Sequence, residues 1–156
     1  MTGKPLKLSQ DVWEKVVAHA AADYPAECCG ILAEEADGTI VVHPCENIQD
    51  KLHAKDPSGH PRTSETAYRM DDLQVHRFLS ETEDAGGRLR SFYHSHIDCD
   101  AYFSEEDHNA ALFMDEPAYP EAVYLVISVC GGEVKGQKVF GWSGERRVFE
   151  EIPLDV

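Results

Sequence analysis

The stretch that decides both the fold and the chemistry of this chain is SFYHSHIDCDAYFSEED, residues 91–107. Residues 89–96 are rich in aromatic side chains and predict a strand that runs into a turn-prone loop. Because residues two apart on a strand share a face, His94 and His96 can point at one metal ion from the same side. A helix is predicted to follow, with Asp107 in its first turn. Two imidazoles and one carboxylate with a vacant fourth position are typical of a catalytic zinc site.

Each part of this pattern also has a simpler interpretation. Ser104 and Asp107 form a Ser-x-x-Asp start that is close to a capping box, which a helix uses without any metal. A His-x-His pair on an apolar strand can be two hydrogen-bonded core histidines. Taken singly, the serine and the aspartate indicate a helix cap, and the histidines are evenly balanced between structural and ligating roles. The joint spacing, His-x-His, seven residues, then Ser-x-x-Asp, favours a site.

A further polar residue stands out far upstream. Glu27 begins a predicted strand over residues 27–33, ECCGILA, where a buried carboxylate without a partner is costly. The residues alone favour a solvent-facing strand end for this glutamate. Its neighbour Cys29 is expected to be a small apolar packing residue rather than a nucleophile.

Taken together, Glu27, His94, His96, Ser104 and Asp107 resemble the signature of the JAMM zinc peptidases, the catalytically competent branch of the MPN domain. The sequence around the glutamate, Pro-Ala-Glu-Cys-Cys-Gly-Ile-Leu, is similar to the family context as well. The resemblance covers most of the chain. It implies an α/β fold, an MPN (cytidine-deaminase-like) domain in which a mixed, mainly antiparallel sheet is flanked by helices.

The resemblance also implies a role for each matched residue. His94, His96 and Asp107 would hold one catalytic Zn²⁺, which activates a water molecule and polarises the scissile carbonyl. Glu27 would accept the proton of that water and later deliver it to the leaving amine. Ser104 would donate a hydrogen bond to the oxyanion that develops during the reaction.

The substrate class is implied by the same resemblance. The chain is most similar to short, stand-alone bacterial members, which act at the C-terminus of ubiquitin-like sulfur-carrier proteins. This implies a peptidase or isopeptidase that cuts after the terminal Gly-Gly of a ThiS/MoaD-like carrier and releases an amino acid or a short extension. The alternatives are a deubiquitinase-like isopeptidase on protein conjugates, a hydrolase of small amides, and a non-catalytic MPN scaffold. The complete ligand set argues against the scaffold.

Length and composition limit the number of domains, the kinds of partner and the cellular location that the sequence allows. At 156 residues the chain is expected to form a single domain. The resemblance implies that residues 1–156 are one JAMM/MPN metallopeptidase domain. Its net charge of −15 argues against nucleic acid as a partner, because phosphate contacts need a basic surface. No apolar run is long enough to span a membrane, and the first residues show no secretory signal, which favours the cytoplasm. Five cysteines without Cys-x-x-Cys spacing indicate reduced, mostly buried thiols, and a homodimer is compatible with the sequence.

Periodicity and turn signals predict the other elements. Helices are expected over residues 8–22, 66–82 and 104–114, and strands over residues 27–33, 39–43, 89–96, 122–130, 135–142 and 146–152. Residues 44–62 are polar and proline-rich, which predicts a long loop. The family resemblance implies that this loop helps to form the groove for the substrate tail. The second and third helices are expected to bury apolar residues, namely Met70, Leu73, Phe78, Ala110, Ala111, Phe113 and Met114.

Several other polar residues are expected to lie outside the site. His108 follows Asp107 on the helix and points elsewhere, so we expect a surface residue. Asp98 and Asp100 are close enough in sequence to tune the site, but a hydrated loop is the preferred interpretation. A second zinc site around the long loop matches no standard spacing, so scattered surface side chains are expected there, namely His43, Cys45, His53 and His60.

Overall fold

The computed structural model describes residues 5–156. In chain order the elements are β1 (Leu6–Lys7), α1 (Gln10–Asp23), β2 (Cys29–Glu34), β3 (Ile40–Cys45), α2 (Gln49–Lys55), α3 (Asp72–Asp84), β4 (Arg88–Ile97), α4 (Glu105–Ala111), β5 (Leu112–Phe113), β6 (Glu116–Pro117), β7 (Val123–Cys130), β8 (Glu133–Ser143), β9 (Val148–Ile152) and β10 (Leu154–Asp155). Six strands form the central sheet, in the order β3-β2-β4-β7-β8-β9. Its neighbouring strands are antiparallel except β4 and β7, which are parallel. The expected mixed, mainly antiparallel sheet with helices is confirmed.

Helix α1 packs into the core through one apolar stripe. Ser9 caps the helix, because its side chain accepts a hydrogen bond from the Val12 amide. Residues four apart then bury the same face, namely Val12, Val16 and Ala20. They form one core cluster with inward-pointing residues of the sheet such as Leu125 and Ile127. The helix predicted over residues 8–22 is therefore confirmed to within two residues at its start and one at its end.

Strand β7 lies inside the sheet and is covered on both faces. Every residue from 123 to 129 is buried, and alternate side chains enter the two apolar clusters of the protein. The near-continuous apolar run in the sequence predicts such a central strand, and this prediction is confirmed.

Strand β4 divides its side chains between these two clusters. Tyr93 points toward α1, where its Oη lies 2.7 Å from Nδ1 of His19. Gly30 on β2 is the partner of Tyr93 in the sheet, and a Cβ atom at that glycine would overlap the tyrosine ring. Because side chains alternate along a strand, this packing turns His94 and His96 to the opposite face.

The segment predicted as a long loop contains a helix instead. Helix α2 occupies Gln49–Lys55, and Asn47 precedes it with a side-chain oxygen that accepts the Gln49 amide at 3.0 Å. The Gln49 side chain is buried and donates to the Arg62 carbonyl at 3.0 Å. The loop prediction was wrong because prolines and glycines at the edges of the segment hid this short helix.

The second predicted helix begins later than expected. Helix α3 starts at Asp72, because the Asp71 side chain caps it by accepting the Gln74 amide at 3.0 Å. Met70 is buried as predicted and Phe78 is partly buried. Leu73 was predicted to be core, and this was wrong, since it is 76% exposed.

Helix α4 is shorter than predicted and ends at Ala111. The chain then makes the small hairpin β5–β6, whose turn residues Met114 and Asp115 have φ angles of 53° and 64°. A left-handed backbone cannot continue an α-helix. Consequently Phe113 and Met114, which were predicted to pack in the core, are 70% and 82% exposed. Ala111 is buried as predicted, and Ala110 is exposed.

None of the helices within residues 5–156 has the length and apolar character needed to cross a lipid bilayer.

Candidate metal centre

Three donor atoms converge on one point beside the sheet. Nε2 of His94 and Nε2 of His96 lie 3.2 Å apart, and each lies 3.2 Å from Oδ2 of Asp107. All three side chains are buried. Among residues 5–156, these three side chains form a group whose ligand atoms lie close enough together to hold one metal ion.

The two imidazoles are held by their surroundings. Strand β4 carries both, and strands β2 and β7 pair with it on either side. The ring of Tyr68 stacks on His94 at a centroid distance of 4.4 Å, and the ring of Tyr102 meets His96 edge-on at 4.7 Å. Nδ1 of His96 lies 3.2 Å from the carbonyl oxygen of Asp100. A proton on that Nδ1 leaves Nε2 free to bind a metal.

Asp107 is oriented by the start of α4. A capping box is present, in which the Ser104 side chain accepts the Asp107 amide at 3.0 Å and Oδ2 of Asp107 accepts the Ser104 amide at 3.1 Å. Burial works to raise the pKa of Asp107, but hydrogen bonds with His94 and His96 outweigh it and hold this pKa well below its usual range. The site therefore contains a fixed negative charge.

The two histidines respond differently to this charge. Burial lowers the pKa of His94 more than Asp107 raises it, so His94 favours the neutral form. Burial also acts to lower the pKa of His96, but the hydrogen bond and charge of Asp107 outweigh it and raise the pKa overall. A neutral imidazole is the form that binds a metal.

Glu27 lies beside this cluster, two residues before β2 begins. Its side chain is 6% exposed, so the solvent-facing alternative is wrong. Burial raises the pKa of Glu27 to about 8, against the opposing effect of the His96 charge. The backbone is fixed on both sides, since the Glu27 amide donates to the Ser64 carbonyl at 2.7 Å and the Asn47 side chain donates to the Glu27 carbonyl at 2.9 Å.

A cavity of about 520 Å³ joins these groups. Its lining includes Glu27, His96, Ser104 and Asp107. Aromatic and apolar side chains line it as well, among them Tyr68, Met70, Val75, Phe92, Tyr119 and Tyr124. The cavity therefore combines polar groups with apolar surface and is large enough to hold part of an extended chain.

Two polar residues close to the donors in sequence, His108 and Asp98, make hydrogen bonds elsewhere in the protein. His108 was predicted to be a surface residue, and this was wrong. Its Nε2 accepts a hydrogen bond from the Phe149 amide at 3.1 Å, and its ring lies against Phe103. Asp98 accepts hydrogen bonds from Tyr24 Oη and the Gly131 amide, both at 3.0 Å, so it holds the loop together.

The histidines and cysteines away from the centre have local partners. His53 contacts the His60 carbonyl at 2.8 Å, and His43 stacks on Phe78 at 3.9 Å. Cys28 and Cys29 are fully buried, and burial raises the pKa of each thiol. Such thiols are inert packing residues, as expected for Cys29.

Three supporting contacts were missed by sequence reasoning. They are the Tyr68 ring on His94, the Asp100 carbonyl at His96, and the Asn47 amide at Glu27. The first two contacts have no local signal, because any aromatic residue and any backbone carbonyl would look the same in sequence. Asn47 carries the one usable signal, since an asparagine ahead of a helix is a common capping residue.

Comparison with known proteins identifies similar sequences. The family model of prokaryotic homologs of the JAB domain matches residues 9–142. A protein named desampylase from Haloferax volcanii is 31% identical over 162 residues, covering 100% of this chain and 99% of the relative. A protein named CysO-cysteine peptidase from Mycobacterium tuberculosis is 30% identical over 123 residues, covering 79% of this chain and 73% of the relative.

A solved structure agrees with the fold. The crystal structure of a JAB1/MPN domain protein from Archaeoglobus fulgidus superposes with a TM-score of 0.54 and 16% identity, covering 99% of both chains. The expected MPN fold and the resemblance to short, stand-alone members are confirmed. On these grounds the chain belongs to the family of prokaryotic homologs of the JAB domain.

Proposed function

We propose that this protein is a zinc-dependent peptidase that hydrolyses the bond after the C-terminal Gly-Gly of a ubiquitin-like sulfur-carrier protein. The observation that carries the proposal is the convergence of His94, His96 and Asp107, two of which share one cavity with the buried Glu27: His96 and Asp107. The two relatives named desampylase and CysO-cysteine peptidase support the reaction type and a protein substrate.

The donor set fits zinc. Two neutral imidazole nitrogens and one carboxylate oxygen are common ligands of catalytic zinc, which keeps a further position open. Ligand atoms about 2.0–2.1 Å from a tetrahedral ion lie roughly 3.3 Å from one another. The three separations of 3.2 Å between the donor atoms match this spacing. We therefore assign His94, His96 and Asp107 as the residues that would hold the ion.

The remaining residues supply proton transfer and charge stabilisation. A zinc ion held there supplies Lewis acidity to water and to a carbonyl oxygen. Glu27 takes a proton from the attacking water and passes it to the leaving nitrogen, because its carboxylate lines the same cavity. Ser104 uses its oxygen to accept the Asp107 amide, which leaves the hydroxyl proton free to donate to the oxyanion.

The shape and charge of the protein favour a particular substrate. An extended Gly-Gly tail lacks side chains, so it can pass close to the crowded donor atoms while the rest of the carrier stays outside. The net charge of −15 favours a carrier with a basic face, and salt is expected to weaken such an encounter. A non-catalytic scaffold is disfavoured, since all five motif residues are present and four of them are buried.

The substrate assignment is tested with carrier proteins that carry one amino acid after Gly-Gly. We expect the zinc-loaded enzyme to release that amino acid and to leave the carrier ending in Gly-Gly, as read by mass spectrometry. The matched control carries Ala-Ala instead of Gly-Gly, and its methyl groups are expected to block entry. Equal cleavage of both carriers, or of unrelated unfolded peptides, would indicate a general peptidase.

Ser104 is expected to have two separable effects. Ser104→Ala should lower kcat by about 10²- to 10³-fold, the usual loss for one oxyanion donor. It should also lower the free energy of unfolding by about 1 kcal/mol, because α4 loses its cap. Ser9 caps α1 in the same way and provides the control. Ser9→Ala should show a similar loss in thermal unfolding and unchanged kcat, and identical kinetics for both variants would remove Ser104 from the mechanism.

A further inference from the structure

A partly exposed salt bridge joins two residues that line the cavity. Nη2 of Arg62 lies 2.5 Å from Oε1 of Glu106. Arg62 belongs to the segment between α2 and α3, whereas Glu106 belongs to the first turn of α4. Both residues line the cavity together with Glu27. Burial has the largest effect on the pKa of Glu27 and raises it, whereas the charge of Arg62 lowers this pKa and the charge of Glu106 raises it.

The backbone around Arg62 is fastened to the backbone of Glu27. The Arg62 carbonyl accepts a hydrogen bond from the buried Gln49 side chain at 3.0 Å. Two residues later, the Ser64 carbonyl accepts the Glu27 amide at 2.7 Å. The Asp50 carboxylate accepts hydrogen bonds from both the amide and the hydroxyl of Ser64, each at 2.7 Å. The position of Arg62 is therefore set relative to the residue that moves the proton.

The guanidinium of Arg62, by contrast, can exchange its ion-pair partner. The side chains of Arg62 and Glu106 are 51% and 53% exposed, and ion pairs this open to water contribute little to stability. A guanidinium has five N–H donors in a planar fork. Besides Glu106, Arg62 donates to the Thr66 carbonyl at 3.3 Å. Arg62 can therefore bind another carboxylate, either beside Glu106 or in its place.

We propose that Arg62 binds the α-carboxylate of the released amino acid and thereby selects a single C-terminal amino acid as the leaving group. This inference rests on the proposed function. In such a substrate only the α-carbon separates the carboxylate from the nitrogen that Glu27 protonates. A lysine joined through its side-chain amine has no carboxylate at that place, and neither does an internal peptide bond. Arginine matches a carboxylate with two parallel hydrogen bonds, so the contact also orients the leaving group.

Arg69 provides a matched control on the same cavity. Its side chain is 53% exposed, and its Nη2 lies 3.2 Å from Oδ2 of Asp72, three residues along the chain. It thus has the same charge, exposure and type of partner as Arg62. Its ion pair lies at the start of α3 rather than at the first turn of α4. A general effect of positive charge in the cavity would appear in variants of both arginines.

The experiment compares three carriers that differ only after Gly-Gly: one amino acid with a free carboxylate, the same amino acid as a carboxamide, and a lysine joined through its side-chain amine. kcat and KM are measured for zinc-loaded wild type, Arg62→Gln and Arg69→Gln. We expect the wild type to prefer the free carboxylate by about 10- to 100-fold in kcat/KM, the usual range for a charged hydrogen-bonded contact. Arg62→Gln should lose this preference through a higher KM and keep its activity on the carboxamide. Arg69→Gln should retain the preference.

A second variant tests the same contact from the other side. Glu106→Gln removes the competing carboxylate, so it should lower KM for the free-carboxylate carrier and leave KM for the carboxamide unchanged. Equal cleavage of acid and amide by the wild type, or an equal loss on both in Arg62→Gln, would overturn the role of Arg62 and leave the peptidase assignment standing. If zinc-loaded wild type cleaves none of the three carriers, the proposed function itself fails.

Discussion

Glu27→Gln is expected to lower kcat by about 10²- to 10⁴-fold, the usual contribution of a positioned acid or base, while zinc content stays unchanged. The amide has nearly the same size and can occupy the same buried place, but it cannot take a proton from water. Glu27 is not among the three donors that converge, so its replacement leaves the metal cluster intact. A loss of turnover without a loss of metal would therefore identify the proton carrier.

Glu65 is the control for this experiment, because it is an exposed carboxylate that lines the same cavity. Glu65→Gln removes the same charge from an exposed side chain that has no assigned role in proton transfer, so it should change kcat less than about twofold. The measurements are single-turnover kinetics on a carrier substrate and elemental analysis for zinc. Near-normal turnover of Glu27→Gln would mean that another group acts as the base.

Asp107→Asn is expected to empty the metal centre. The asparagine oxygen can still accept the Ser104 amide, so α4 keeps its cap. What is lost is the negative charge that lies 3.2 Å from both His94 and His96. A neutral amide oxygen is a poor ligand for zinc compared with a carboxylate, and removing an anionic ligand costs more than the roughly 10- to 100-fold that removal of a supporting group costs. Zinc per chain and activity should fall together.

Asp98→Asn is the matched control, since Asp98 lies in the loop between the histidines and α4. Its carboxylate accepts hydrogen bonds from Tyr24 and Gly131, away from the donor atoms. This variant should bind about one zinc per chain, measured by titration calorimetry on chelator-treated protein. Full zinc retention in Asp107→Asn would show that other residues hold the zinc and that Asp107 is not a required ligand.

The residues of the site were predictable where the pattern is local. His94 and His96 share a face because of strand geometry alone, and the Ser104–Asp107 pair marks a helix start through its own hydrogen bonds. The two interpretations of that pair do not compete. The cap is real, and it is also what directs Oδ2 of Asp107 toward the histidines.

The features that could not be predicted depend on contacts between distant parts of the chain. Glu27 is buried, and its backbone is held by Ser64 and Asn47, which approach it from another segment. Leu73 lies in an amphipathic helix, yet it is exposed because the sheet faces another side of that helix. The turn at Met114 ends α4 early although its sequence suits a longer helix. In each case tertiary packing overrides a local preference.

The aromatic contacts around Phe103 affect how the protein is made. Helix α4 is held by strands that come later in the chain: the Phe103 ring packs on Phe140 and Phe149, and His108 accepts the Phe149 amide. A ribosome therefore polymerises all three donors before it makes the strands that keep Asp107 in position. A nascent chain that reaches only about residue 120 contains every donor but lacks the strands on which Phe103 and His108 pack. We therefore expect the donor cluster to form late in biogenesis, when the distant strands pair.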